Sequence, residues 1–185
     1  SISLFFPHSR LSICAVRFTE EERVEYIVVG TVFVIPDEDS PNRGRILLFK
    51  VVDNKLSLEA QKEVKGAVHD LQPFNGKVIA GVNAKVQLFV LSGLEGHREL
   101  KQEASNYGHV IALYLRCKGD FILVGDLMKS MSLLLYKADE GVLEEIATDY
   151  QCNWMTAVEV RCSPLLIFLC FEFLLISILF FLLFL

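Results

Sequence analysis

The chain has 185 residues, a length for one domain or part of one, and its 18 basic and 23 acidic residues leave a formal net charge of −5. No cluster of Lys and Arg stands out, which argues against a nucleic-acid surface, because neutralised phosphates supply most of the affinity of such surfaces. The five cysteines, Cys14, Cys117, Cys152, Cys162 and Cys170, are odd in number and form no Cys-x-x-Cys pair, so free buried thiols in a reducing compartment are expected rather than a disulfide framework or a zinc site.

Residues 1–8 read as an irregular N-terminal segment, and Ser at position 1 suits a processed or incomplete chain. From residue 9 a unit recurs. An Ala followed by a branched aliphatic residue stands at Ala15–Val16, Ala67–Val68, Ala112–Leu113 and Ala157–Val158, spaced 52, 45 and 45 residues apart. Gly30, Gly81 and Gly125 follow the first three, each ending or interrupting an apolar run. A third strand-like run comes next, at 45–49, 85–89 and 132–136, and a polar, acidic segment closes each unit at 56–64, 97–105 and 141–149. Four short strands every ~45 residues is the period of propeller blades.

The longer first unit places its insertion at 36–43, where two prolines and several acidic groups predict a solvated loop. Turns are predicted at Asp53–Asn54, Asn75–Gly76, Lys118–Gly119–Asp120 and Glu140–Gly141; Asn-Gly suits a tight hairpin because both residues tolerate positive φ. No segment before residue 160 shows a long 3.6-residue apolar period, and β-branched and aromatic residues fill the runs. The predicted fold is therefore all-β: a partial β-propeller of about three blades of four-stranded antiparallel sheets over residues 9–160. A β-sandwich has strands at similar spacing, but recurrence of one four-part unit favours the propeller. Closed propellers typically have about four to eight blades, so three units imply partner blades elsewhere in a longer polypeptide.

Residues 161–185 form an apolar tail, expected to be helical if ordered. Over 165–185 it holds a single charge, Glu172, and as a helix it would extend roughly 30 Å. Two origins compete: a retained intron or frameshifted translation, which ranks first, and a transmembrane helix.

Chemistry-bearing constellations are weak. His8, His69, His97 and His109 are scattered and lack metal-ligand spacing. Asp70 and Asp126 fall at different steps of the unit, which favours turn or strand-end hydrogen bonding over acid–base work. Phosphate-loop spacing and a Gly-x-Ser-x-Gly elbow are both missing. The sequence thus predicts a non-enzyme without catalytic residues, metal or cofactor. Candidate partner contacts are Glu144, Glu145 and the single tryptophan, Trp154; a solvated edge for the glutamates and blade-to-blade packing for Trp154 are the bland alternatives. Met128 and Met131 could line an adaptable surface or fill core.

Three stretches carry a resemblance: EVKGAVHDLQPFNGKVIAGVNAKVQLF (63–89), KGDFILVGDLMKSMSLLLYK (118–137) and NWMTAVEV (153–160), supported by GTVFVIPDEDSPNRGRILLF (30–49). Together they resemble the C-terminal region of the damaged-DNA-binding adaptors of Cullin-4 ubiquitin ligases. That family's cousins include the large subunit of the cleavage and polyadenylation specificity factor and a large splicing-factor subunit. The resemblance covers residues 9–160 and departs after Val160, where the family continues with an acidic turn and further strands. It implies the opening part of the family's third propeller, which with the first grips substrate-receptor proteins, while the middle propeller holds the cullin. Its implied partners are those receptors and the remaining propellers, with direct nucleic-acid binding weak or absent. The implied setting is nucleus and cytoplasm, in DNA repair and ubiquitin-dependent turnover. A subunit of the RNA-processing cousins, and a β protein anchored in a membrane by the tail, are the alternatives.

Overall fold

In the computed structural model, residues 8–21, 23–35, 38, 40–94, 96–151, 155–162, 166–172 and 176–180 are described. The first four strands, β1 (His8–Val16), β2 (Tyr26–Phe33), β3 (Gly44–Val52) and β4 (Lys55–Val64), form one sheet in chain order. The second sheet is β5 (Val68–Phe74), β6 (Lys77–Val82), β7 (Lys85–Ser92) and β8 (Glu99–Tyr107). The third is β9 (Ala112–Lys118), β10 (Phe121–Asp126), β11 (Met131–Lys137) and β12 (Val142–Thr148). All pairings are antiparallel. One 3-10 turn, Thr19–Glu21, interrupts the β1–β2 connection.

The predicted turn chemistry appears where the strands reverse. Asn75 and Gly76 take φ of 44° and 70°, the paired positive values of a tight hairpin, and Asp53 and Asn54 take 49° and 59°. The insertion of the first unit lies between β2 and β3, as expected, with Pro36, Asp37 and Asp39 outside the described residues.

Sheet packing distinguishes a propeller from a sandwich. One core joins Tyr26, Val28, Ile46 and Leu48 of the first sheet to Leu71, Val78, Ala80 and Phe89 of the second. The next joins Ile79, Val86 and Leu88 of the second to Leu115, Ile122, Val124 and Leu134 of the third. Successive residues of β6 therefore serve different cores, and β6 and β10 are buried on both faces from their second residue onward. β2, in the first sheet, instead starts with alternating burial. Two facing sheets would leave each sheet only one dry face. Here sheets follow one another like blades, with β1 beside β5, β5 beside β9, and β9 beside β13 as the inner wall. Each large apolar side chain taken out of water contributes about 1.5–3 kcal/mol, so the inter-blade seams hold the array together.

The repeat glycines explain their own recurrence. A Cβ on Gly30 would stand 2.6 Å from Val68 Cγ1, and one on Gly81 2.6 Å from the Ala112 carbonyl. The middle strand of each blade thus presses on the start of the next blade's inner strand, where the Ala–aliphatic pair sits.

A fourth sheet begins with β13 (Met155–Cys162), which pairs with β14 (Leu166–Glu172), which pairs with β15 (Ile176–Phe180). The helical expectation for the tail is thereby corrected for these spans. An unbroken apolar run has no period to separate helix from strand. The edge of β13 offers backbone groups to pair, and Phe and Ile suit a pleated surface. Among the described residues no helix is long and apolar enough to cross a membrane.

Candidate functional site

Because each blade repeats one connectivity, its loops fall into two sets. The β1–β2 and β3–β4 hairpins and their counterparts lie at one end. The β2–β3, β6–β7 and β10–β11 connections and the blade-to-blade links lie at the other, here called the rim. Hydrogen bonds across blades confirm the grouping. At the hairpin end Thr19 N–H donates to the Gly76 carbonyl (3.1 Å), and Asn75 Nδ2 donates to Asp120 (2.8 Å).

At the rim, Asn83 is a junction. Its Oδ1 accepts from Ala67 N–H (2.8 Å), its Nδ2 donates to the Pro41 carbonyl (3.0 Å), and its own carbonyl accepts from Ala112 N–H (2.8 Å). With φ of 47° it turns the chain between β6 and β7 while tying the first, second and third blades. Asp126 ties the link entering the third blade to that blade's β10–β11 turn. Its buried carboxylate accepts N–H bonds from Val110 (2.6 Å), Met128 (2.9 Å) and Lys129 (3.0 Å). His109, also buried, places Nδ1 3.7 Å from Asp126 Oδ2. Burial lowers the His109 pKa, against the pull of Asp126.

Each inner strand carries a β-bulge near the rim. Pairing skips one residue at Leu11, His69, Leu113 and Thr156. A bulge leaves its extra residue out of the ladder and re-aims it, so the four blades repeat one irregularity on the inner wall. Around it the rim loops expose Val34, Ile35, Val110, Met128 and Tyr150, the last 91% accessible. Asn83 anchors the loop after Val34 and Ile35, and Asp126 anchors those of Val110 and Met128. Asp149, accepting from the Ser130 hydroxyl (2.7 Å) and donating its N–H to the Met131 carbonyl (2.9 Å), anchors that of Tyr150, so the apolar groups sit on a fixed frame. Adaptable Met and amphipathic Tyr on a rigid base suit binding of another protein.

Below the bulges, polar contacts join one inner strand to the next. Asp70 accepts from Leu71 and Leu115 N–H (both 2.8 Å) and lies 3.3 Å from Arg116 Nη1. Arg116 in turn reaches Glu159 of β13 at 3.7 Å. Burial pushes the Asp70 carboxyl up, against hydrogen bonds from Leu115 and Leu71. Both aspartates therefore accept backbone N–H groups, the hydrogen-bonding role the sequence suggested, and Asp70 also links the second blade to the third. Cys14 and Cys117 are free thiols pushed up to about 12 by burial. No group of three His, Cys, Asp or Glu side chains able to hold a metal occurs among the described residues.

The sequence-predicted contacts divide. Glu144 and Glu145 stand exposed on β12, the outermost strand of the third sheet, opposite Leu135 and Leu134. Glu144 pairs with Lys137 at 2.6 Å. They are not gathered with the rim loops. Trp154 lies outside the described residues. Met128 is exposed at the rim, whereas Met131 is core. The bulged residues went unnoticed, since an extra residue in a strand leaves no mark in composition.

Four-stranded antiparallel blades stacked around an inner wall, with apolar side chains exposed at the rim, define a β-propeller segment. The family model described as the CPSF A subunit region matches residues 7–172, and the chain belongs to that family. It is 53% identical over 150 residues to DNA damage-binding protein 1a of Arabidopsis thaliana. It is 51% identical over 151 residues to DNA damage-binding protein 1 of Solanum lycopersicum, and 49% over 150 residues to that of Oryza sativa subsp. japonica. Each match covers 80% of this chain but 14% of the relative, so the chain spans about a seventh of those proteins. The family match continues through β14, past the point where the resemblance seen in the sequence departs.

Proposed function

We propose that this chain is a non-catalytic scaffold segment of a Cullin-4 ubiquitin ligase adaptor. Its rim receives substrate-receptor proteins in DNA repair and ubiquitin-dependent turnover, in nucleus and cytoplasm. The supporting observation is the rim itself: Val34, Ile35, Val110, Met128 and Tyr150 exposed on loops braced by Asn83, Asp126 and Asp149. The names of the relatives favour this reading over an RNA-processing subunit. The matched segment is grafted into the Arabidopsis relative in place of its own, and purified Cullin-4 substrate receptors are titrated against the chimera. The reading expects binding by the chimera and its loss with Val110→Asp and Met128→Asp together. Receptor binding that ignores both substitutions would overturn it.

A further inference from the structure

The outer strands of the first two blades, β4 and β8, flank a cleft of about 260 Å3, lined in part by Lys62, Lys65, Lys85, Glu63, Phe89 and Tyr107. Its charge is opposite to that of the chain. Lys85 opens β7 and pairs in register with Tyr107, and its Nζ sits 5.2 Å from the centre of that ring. This contact holds an ammonium group at the cleft wall. Lys62 contributes a second charge, only loosely engaged by exposed Glu99 at 3.4 Å. Lys65, exposed, contributes a third. Neither Lys65 nor Lys85 has a carboxylate partner among the described residues. The one acid of the lining, Glu63, is already neutralised by Arg45 at 3.0 Å and Arg43 at 3.5 Å. An edge lysine that discourages strand pairing would account for Lys62 on β4, and a solvated link for Lys65, which follows that strand. They do not account for Lys85, which lies on the interior strand β7 and converges on the same concavity.

We propose that this cleft binds a short acidic peptide segment of a protein partner, its carboxylates meeting Lys62, Lys65 and Lys85. A peptide fits better than a nucleic acid. The acids beside the cleft, Glu63, Glu99 and Glu103, are paired with Arg45, Lys62 and Lys77, so the cleft's own positive charge, Lys65 and Lys85, unpaired among the described residues, matches a short acidic segment and not a long phosphate backbone. Gln87 and Gln102, joined by a 2.8 Å hydrogen bond beside the lysines, offer amide groups to a peptide backbone. Lys65 and Lys85 adjoin rim connections, so a protein on the rim could extend an acidic arm here, yet the cleft's preference stands whether or not receptors dock on the rim.

Fluorescence anisotropy of labelled octaglutamate, octaglutamine and an oligothymidylate of equal length, each titrated with the 185-residue chain, tests this directly. Octaglutamate binds and is weakened by added salt, octaglutamine does not bind, and the oligonucleotide binds less well. Lys65→Gln with Lys85→Gln weakens octaglutamate about tenfold and leaves the circular dichroism spectrum unchanged. The proposal fails if wild-type chain prefers neither octaglutamate over octaglutamine nor peptide over oligonucleotide, a comparison that needs no variant to fold. Equal affinity for the oligonucleotide would assign the cleft to phosphate and also overturn it, as would full octaglutamate affinity in the folded double variant. None of these outcomes bears on receptor binding at the rim.

Discussion

Gly125 of β10 lies so close to Val158 of β13 that a Cβ on the glycine would stand 2.5 Å from Val158 Cγ2. The contact joins the third blade to the strand that opens the fourth. Valine is stiff at χ1 and cannot swing aside, so the two backbones would have to separate. Gly125→Ala is expected to destabilise the chain by about 1–3 kcal/mol through overpacking, read as a lower urea midpoint. An unchanged midpoint would mean that the blades do not press together here.

Asp126 makes a second, sharper prediction. Replacing it with Ala strips acceptors from the N–H groups of Val110, Met128 and Lys129 at once. Each hydrogen bond contributes about 0.5–1.5 kcal/mol, so Asp126→Ala, which removes three, should lose at least about 1 kcal/mol. It should also raise amide exchange across 108–111 and 127–130. Asp126→Asn, which keeps one acceptor oxygen, should recover part of both losses.

Acid should loosen the rim. Burial is the largest influence on His109 and lowers its pKa; Asp126 and Glu145 pull it up, and Lys129 adds to the lowering. The unfolded chain therefore binds more protons than the folded one below the ordinary histidine value. The stability contributed by neutral His109 is complete above about pH 6.5 and declines as pH falls through that value. His69, lowered by burial, acts in the same sense. Unfolding free energies measured between about pH 7 and 5.5 should fall with acidity, and the slope should be shallower in His109→Gln. An equal slope in that variant would remove His109 from the account.

The two half-buried thiols should be inert. With pKa values pushed up to about 12, Cys14 and Cys117 hold almost no thiolate at neutral pH, and thiolate is the reactive form. Mass spectrometry after mild alkylation of folded chain should find both unmodified, and both labelled once urea is added.

Much of the fold was legible because its signals are forced by geometry. Gly30, Gly81 and Gly125 recur at one step, each opposite the residue after an inner-strand bulge, since only a glycine admits the neighbouring blade. The alanines were a looser marker: Ala15, Ala67, Ala112 and Ala157 fall at different steps relative to those bulges, because a small residue on the inner wall is tolerated at several positions. The tail misled for want of periodicity. The site was less legible than the fold. Glu144 and Glu145 stood out as an adjacent pair, but charge in sequence does not reveal which strand is outermost. The rim assembles Val34, Val110 and Tyr150 from three separate blades, which only closure of the repeat into an array brings to one end.

Hydrogen–deuterium exchange of the chimera, with and without a purified Cullin-4 substrate receptor, compares the two ends of the array in one measurement. Protection should appear in the rim connections at 34–35, 108–111, 127–130 and 149–151, and the hairpins at 53–54, 75–76 and 119–120 should exchange as before. Protection confined to those hairpins, or to β12 around Glu144 and Glu145, would contradict the assignment of the rim as the docking face.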